Sequence, residues 1–302
     1  MIDMRVDIGG VKLKNPVLVS SGTFGFGKEY SKFYDLNLLG GVAVKGITLK
    51  PRKGNKPPRI METPAGILNS VGLENPGLDV FIEKELPFLK KYSVPIIANI
   101  SGNTIEEYSL MAKELNDHVD LIELNVSCPN VKEGGIAFGT KSDSVYEVTK
   151  EVRKNCSIPI IVKLSPNVTD ITEMALAAEE AGADCISLIN TIMGMAIDIE
   201  NRKPYFHNIV AGLSGPAVKP ISLRMVWQVA QKVNIPVIGM GGISNWQDAI
   251  EFMMAGADAI SIGTANFYNP LAPIEVLEGI EKYMVENGIG NTSEIKINGG
   301  VK

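Results

Sequence analysis

Cysteine is scarce: the 302-residue sequence holds three, Cys128, Cys156 and Cys185. The number is odd and no two are spaced C-x-x-C, which argues against a disulfide framework and against a zinc knuckle. Histidine is scarcer still. His118 and His207 are the whole supply and no H-E-x-x-H occurs, so acid–base chemistry falls to lysine, cysteine, serine or a carboxylate. A basic excess is also missing. Lys plus Arg number 29 against 34 Asp plus Glu, a net charge of −5, which removes the electrostatic footprint of a nucleic-acid binder. No apolar run approaches the roughly 18 residues of a membrane helix. The first ten residues alternate charge with Val and Ile and lack the basic start and apolar stretch of a secretion signal. A cytoplasmic protein without membrane or nucleic-acid partners is the expectation.

What is present is core-forming material: 45% hydrophobic and 21% charged residues, enough to bury a substantial interior. Eight short apolar runs, rich in Val and Ile, each end in a polar residue or glycine. They occupy 16–20, 41–45, 95–99, 121–125, 159–163, 185–190, 236–239 and 259–263. Runs of this length and composition suit strands covered on both faces of a parallel sheet. Amphipathic segments at 104–115, 144–154, 170–181, 221–233 and 246–255 have helical spacing and separate them. The unit repeats weakly: Ala181-Gly182-Ala183-Asp184 and Ala255-Gly256-Ala257-Asp258 each precede a strand, and Val94-Pro95, Ile158-Pro159 and Ile235-Pro236 each open one. Eight such units predict an α/β fold of the (β/α)8 (TIM) barrel type, with long insertions after strands 2 and 6. A doubly wound open sheet is the alternative that the same alternation permits.

The strand ends, in order, are Ser20-Ser21, Lys45, Asn99, Asn125, Lys163, Asn190, Gly239 and Gly263. In a closed barrel they converge on one mouth. A serine or asparagine at a strand end needs no explanation beyond the approach to water. Lysine after a four-residue apolar strand is different, since a partly desolvated ammonium calls for an anion or polar ligand opposite it. Glycines cluster after strands 7 and 8, at residues 239–242 and at Gly263-Thr264, and Gly215 follows Leu213-Ser214. Bare backbone N–H groups there make an anion cradle, although any one of them alone reads as a turn glycine. Residues 239–244 miss the dinucleotide fingerprint by its third glycine. Residues 22–29 miss a P-loop because Glu29 stands where Ser or Thr must hold magnesium. Cys128 lies just past a strand end between Asn125 and Asn130, placed as a base or nucleophile or as an inert thiol. Cys156 and Cys185 read as small core residues.

Three segments together carry a resemblance: residues 63–77 (TPAGILNSVGLENPG), 125–130 (NVSCPN) and 238–243 (IGMGGI). In order and spacing, over nearly the whole chain, the sequence resembles the soluble class 1 dihydroorotate dehydrogenases. The resemblance implies one FMN-binding (β/α)8 barrel domain over residues 1–302, oxidising (S)-dihydroorotate to orotate in de novo pyrimidine (UMP) biosynthesis. It implies FMN contacts from Ser21, Lys45, Gly46, Asn99, Asn125, Lys163, Ile189, Gly215, Gly241, Gly242, Gly263 and Thr264. Lys163 would stand at the pyrimidine edge of the flavin. Substrate contacts would come from Lys45, Asn69, Ser70, Val71, Gly72, Leu73, Asn125, Asn130, Asn190 and Thr191. Cys128 would be the base at C5 while a hydride leaves C6; no metal is implied. Residues 63–77 look like the NAD-linked subclass, class 1B, in which a homodimer of this chain sits within a heterotetramer. FAD and a [2Fe-2S] cluster then belong to the partner subunit, in keeping with the few cysteines here. The alternatives are a fumarate-linked class 1A enzyme, a flavin barrel acting on dihydropyrimidines, and, from another class, a Schiff-base isomerase or aldolase using Lys45 or Lys163.

Overall fold

A computed structural model describes residues 2–126 and 138–297. Its centre is a closed barrel of eight parallel strands: β1 (Val17–Val19), β2 (Gly41–Ala43), β3 (Ile96–Ile100), β4 (Leu121–Asn125), β5 (Ile160–Lys163), β6 (Cys185–Leu188), β7 (Val237–Met240) and β8 (Ala259–Ile262). All eight fall where the apolar runs place them. Each strand is flanked by its predecessor and its successor. Closure comes from β8 pairing with β1, Ile260 opposite Val17, and this sets the open-sheet alternative aside.

The five amphipathic segments form helices outside the barrel, chiefly Ile105–Leu115, Ser142–Asn155, Ile171–Glu180, Lys219–Ala230 and Trp246–Met254, joined by Ala272–Glu286. Three of them start where a short polar side chain can accept from an otherwise unpaired N–H of the first turn: Thr104, Asp170 and Asn245. The sequence repeat also has a physical basis. Asp120, Asp184 and Asp258 each precede a strand and accept the first N–H of the strand before, from Ile96, Ile160 and Val237, at 2.8, 2.8 and 2.9 Å. Each donor directly follows one of the three strand-opening prolines. The aspartates therefore stitch neighbouring strands together in three pairs, β3 to β4, β5 to β6 and β7 to β8, at the floor of the barrel.

Side chains alternate along a strand, and the core divides accordingly. Val17, Val19, Val42, Val44, Ile122, Leu124, Ile160 and Val162 point outward and join Met111, Val148, Met174, Val226 and Phe252 of the helices. Leu18, Ala43, Ile97, Leu121, Ile161, Cys185, Ile238 and Ala259 point inward. An antiparallel hairpin, Val6–Ile8 with Val11–Leu13, closes the floor with Ile8 and Leu13, both 1% exposed. That hairpin is absent from the sequence reading, because its alternating charges suggest only a polar terminus.

The two insertions meet above the opposite end. Ile60–Thr63 and Gly66–Asn69, from the first, and Ile192–Met195 and Val210–Ser214, from the second, form one four-stranded antiparallel sheet. Helix Ala272–Glu286 packs on Trp246–Met254 through Gly279, where an added Cβ would overlap the Cβ and Cγ of Trp246. Gly279→Ala should therefore cost roughly 1–3 kcal/mol of stability, read as a lower denaturant midpoint at unchanged slope. An unshifted midpoint would show that this helix pair is free to separate.

Candidate active site

The inward alternation that builds the apolar floor continues upward into polar residues. Above Ile97 stands Asn99, above Leu121 Glu123, above Ile161 Lys163, above Cys185 Ser187 and above Ala259 Ser261. Ser20 and Ser261 share a hydroxyl hydrogen bond of 2.8 Å. Glu123 is the hub of the other three, Asn99, Lys163 and Ser187. One carboxylate oxygen accepts from the Ser187 hydroxyl at 2.8 Å. The second accepts from the Asn99 amide and stands 3.4 Å from the Lys163 ammonium. Lys163 and Glu123 are 5% and 3% exposed, so each is the other's charge partner in a region where an unpaired charge is costly.

Above this layer opens a cavity of about 910 Å³, the size of a small-molecule site. Into it face Ser21, Lys45, Gly46, Asn99, Asn125, Lys163, Ile189, Gly215, Gly241, Gly242, Gly263 and Thr264, together with the stretch Asn69, Ser70, Val71, Gly72 and Leu73 and with Asn190 and Thr191. Every candidate site residue within the described chain thus lines one space. Cys128 and Asn130 lie outside the described residues. Gly239 does not join the mouth: its Cα is on the outer face, where a Cβ would come 2.7 Å from the Phe252 ring. Cys156 and Cys185 are buried and free, and burial pushes both thiols above their ordinary pKa, as suits core residues rather than reactive ones.

Lys45 differs from Lys163. It is only partly buried, yet among the described residues no carboxylate comes within ion-pair distance of it. Burial lowers the pKa of its ammonium, Glu74 opposes that shift from a distance and Arg59 adds to it. Among the described residues, Lys163 is therefore matched and Lys45 is open to an anionic ligand. A second unmet group is the Oδ1 of Asn99, buried and without a hydrogen-bond partner among the described residues. A buried acceptor in that state asks for a donor from a ligand.

The glycine cradle is a tight piece of backbone. Gly241 and Gly242 have φ of +118° and +82°, a region L side chains rarely adopt. A Cβ on Gly242 would lie 2.8 Å from the Lys219 backbone N. The buried Asp248 ties this loop down: it accepts the Ser244 N–H at 2.8 Å and the Lys219 ammonium at 2.5 Å. The Thr264 hydroxyl donates to that of Ser214 at 2.8 Å, joining the strand-8 end to the insertion sheet. Glu123, Ser187, Asp248 and Lys219 were not singled out in the sequence, nor were Ser165, Asn167, His207 and Phe267, which also line the cavity. For Glu123 a signal existed, a charge at the centre of a five-residue strand otherwise apolar to its end.

A mouth that combines backbone N–H groups bare of side chains, an ammonium without a carboxylate partner among the described residues and a ring of amides has the chemistry to bind an anion, as the mouths of barrel enzymes do. Residues 3–284 match the family described as "Dihydroorotate dehydrogenase", and the chain belongs to that family; it is an oxidoreductase. It is 61% identical over 295 residues to the "Dihydroorotate dehydrogenase B (NAD(+)), catalytic subunit" of Thermoanaerobacter sp. (strain X514), covering 97% of this chain and 98% of that protein. The proteins of the same name from Caldicellulosiruptor saccharolyticus (58% over 294 residues, 97% and 98% covered) and Petrotoga mobilis (56% over 297, 98% and 99%) are similar.

Gly242→Ala should lower the affinity for phosphate esters at least about tenfold and cost roughly 1–3 kcal/mol of stability. Titration calorimetry and denaturant unfolding read the two effects. A variant that binds as the parent does would remove this loop from the anion site.

Proposed function

We propose that this chain oxidises (S)-dihydroorotate to orotate in pyrimidine biosynthesis with FMN held in the barrel mouth, and that its electrons reach NAD through a partner subunit. The observation that carries the reading is the cavity itself. It brings the unmatched Lys45, the charge-matched Lys163 and the glycine cradle to one opening. The residues fit the cofactor on two counts. Gly215, Gly241 and Gly242 pack so closely on Gly66, Ser222 and Lys219 that no side chain fits there, which keeps a run of bare backbone at the cavity wall for an anion, and the orphaned Asn99 Oδ1 suits a ring N–H. FMN, when bound, supplies the acceptor for a hydride from the substrate.

The remaining work belongs to the protein's own backbone and side-chain groups. Gly215, Gly241, Gly242, Gly263 and Thr264 bind the FMN phosphate, with Ser21, Gly46, Asn99, Asn125 and Ile189 along the flavin and Lys163 at its pyrimidine edge. Asn69, Asn125, Asn130, Asn190 and Thr191 orient the substrate, since an amide both donates and accepts against alternating C=O and N–H groups; Ser70 to Leu73 close over it. The Lys45 ammonium serves both ligands. The Cys128 sulfur takes the C5 proton. Bound substrate and the overlying sheet keep water from this space. A Schiff base on Lys163 would need a free amine there, and its ammonium is engaged by Glu123.

The relatives' name, "catalytic subunit", describes one part of an assembly. FAD and a [2Fe-2S] cluster are assigned here to the partner, within a heterotetramer built on a homodimer of this chain. In support, the insertion after β6 exposes Met193, Met195, Ile197 and Ile199, the last 82% accessible, an apolar surface suited to association.

Purified protein should be yellow and should bleach on adding dihydroorotate without oxygen, with dihydrouracil far less effective. Cys128→Ala should lose about a hundredfold or more of that rate. A colourless folded protein that cannot take up FMN contradicts the reading, and an undiminished variant assigns the proton to another base. Lys45 adds a pH signature. An anion beside it favours its charged form, so orotate binds fully below the free ammonium's pKa and more weakly as pH rises through it. That decline should begin below the ~10.4 of an ordinary lysine and vanish, with weaker binding throughout, in Lys45→Met. Fluorescence titration across pH would show it; an unchanged profile in the variant would place the orotate carboxylate elsewhere.

A further inference from the structure

Glu123 accepts three hydrogen-bond donors on two oxygens: the Ser187 hydroxyl, the Asn99 amide and the Lys163 ammonium. Nothing in that set accepts a proton from it, which is the pattern of a carboxylate rather than of a carboxylic acid. Because a carboxylate takes only donors, the Asn99 amide must turn its NH2 inward, and this aims Oδ1 at the space beside Gly46, where a Cβ would lie 3.0 Å from it. One buried acidic side chain therefore fixes an amide and an ammonium at the same time. Lys163 remains a hydrogen-bond donor at the mouth, but its charge is cancelled from below at 3.4 Å. Lys45 has no such counter-charge among the described residues.

We infer that Glu123 is a positioning residue that turns Lys163 into a donor without net charge, leaves Lys45 as the net positive charge among the described residues of the mouth, and so sets how strongly the site prefers reduced over oxidised cofactor. The inference rests on the FMN reading above. It divides labour between the lysines: Lys163 supplies direction and Lys45 supplies charge. Ser187 completes the arrangement by occupying the oxygen that Asn99 and Lys163 leave, so the carboxylate cannot rotate without breaking a bond on each side.

The test uses the full chain carrying Glu123→Gln, Lys163→Gln, or both. Two quantities are read: the midpoint potential of bound FMN, and the affinity of the FMN-free protein for oxidised FMN. Glu123→Gln uncovers the ammonium and should raise the ratio of reduced to oxidised FMN affinity about tenfold, some 30 mV for a two-electron couple. Lys163→Gln uncovers the carboxylate and should lower the ratio by a similar factor, with weaker uptake of oxidised FMN. The double variant restores neutrality and should return to within about threefold of the parent. A purely structural role would weaken binding in all three without opposite signs. Shifts of the same sign in the single variants, no shift in Glu123→Gln, or a double variant that matches Lys163→Gln would overturn the inference. Should Glu123→Gln not fold, the neutral double variant still decides by that last comparison. A parent chain that takes up no FMN would instead sink the cofactor reading, and this inference with it.

Discussion

Closure of eight parallel strands is the constraint on which the rest depends. Once β8 pairs with β1, every second residue must point into an interior that water reaches from one end only. The chain meets this with an apolar floor of Leu18, Ile97, Leu121, Ile161 and Ile238, capped by Ile8 and Leu13. One step higher it places polar side chains that satisfy one another. Glu123, Asn99, Lys163 and Ser187 form one such set, and Ser20 with Ser261 forms another. Only then does the open mouth begin. The polar layer is costly unless complete, and at Asn99 it is left one bond short, facing the cavity.

This layering explains why the two strand-end lysines differ although the sequence presents them alike. Lys163 is the second inward residue of its strand above the floor and meets the carboxylate of the neighbouring strand. Lys45 extends past the end of β2, beyond the reach of that layer. Its open charge, beside the glycine cradle and the amides, gives the mouth its bias toward anions. Asp248 supports the same bias indirectly, by tying the loop after β7 to the start of the helix that follows Gly215.

Much of the fold is legible in the sequence because short Val- and Ile-rich runs ending in a polar residue leave little choice of element. All eight barrel strands and the five amphipathic helices lie where periodicity puts them. The insertions were legible as lengths only. Ile60–Thr63 alternates exposed and half-buried residues, a weak signal, and its neighbour Gly66–Asn69 pairs in turn with Val210–Ser214, more than a hundred residues away. Gly239 was misplaced because two strand ends both close in glycine, while only side-chain parity tells the mouth from the helix-facing side. Glu123 was passed over for a similar reason: in one dimension it is a charge in a strand, and only closure shows that it points inward onto Lys163. The cavity-lining residues that stand out most in the sequence are those whose chemistry is odd for their position, above all lysines ending apolar strands.

A crystal structure of the chain loaded with FMN and orotate tests the central claim most directly. The account predicts the phosphate on the N–H groups of Gly241, Gly242 and Gly263, the flavin ring between Lys45 and Lys163, and the orotate carboxylate nearer Lys45. A ring bound outside the mouth, or a carboxylate paired with Lys163 while Glu123 turns away, would contradict it.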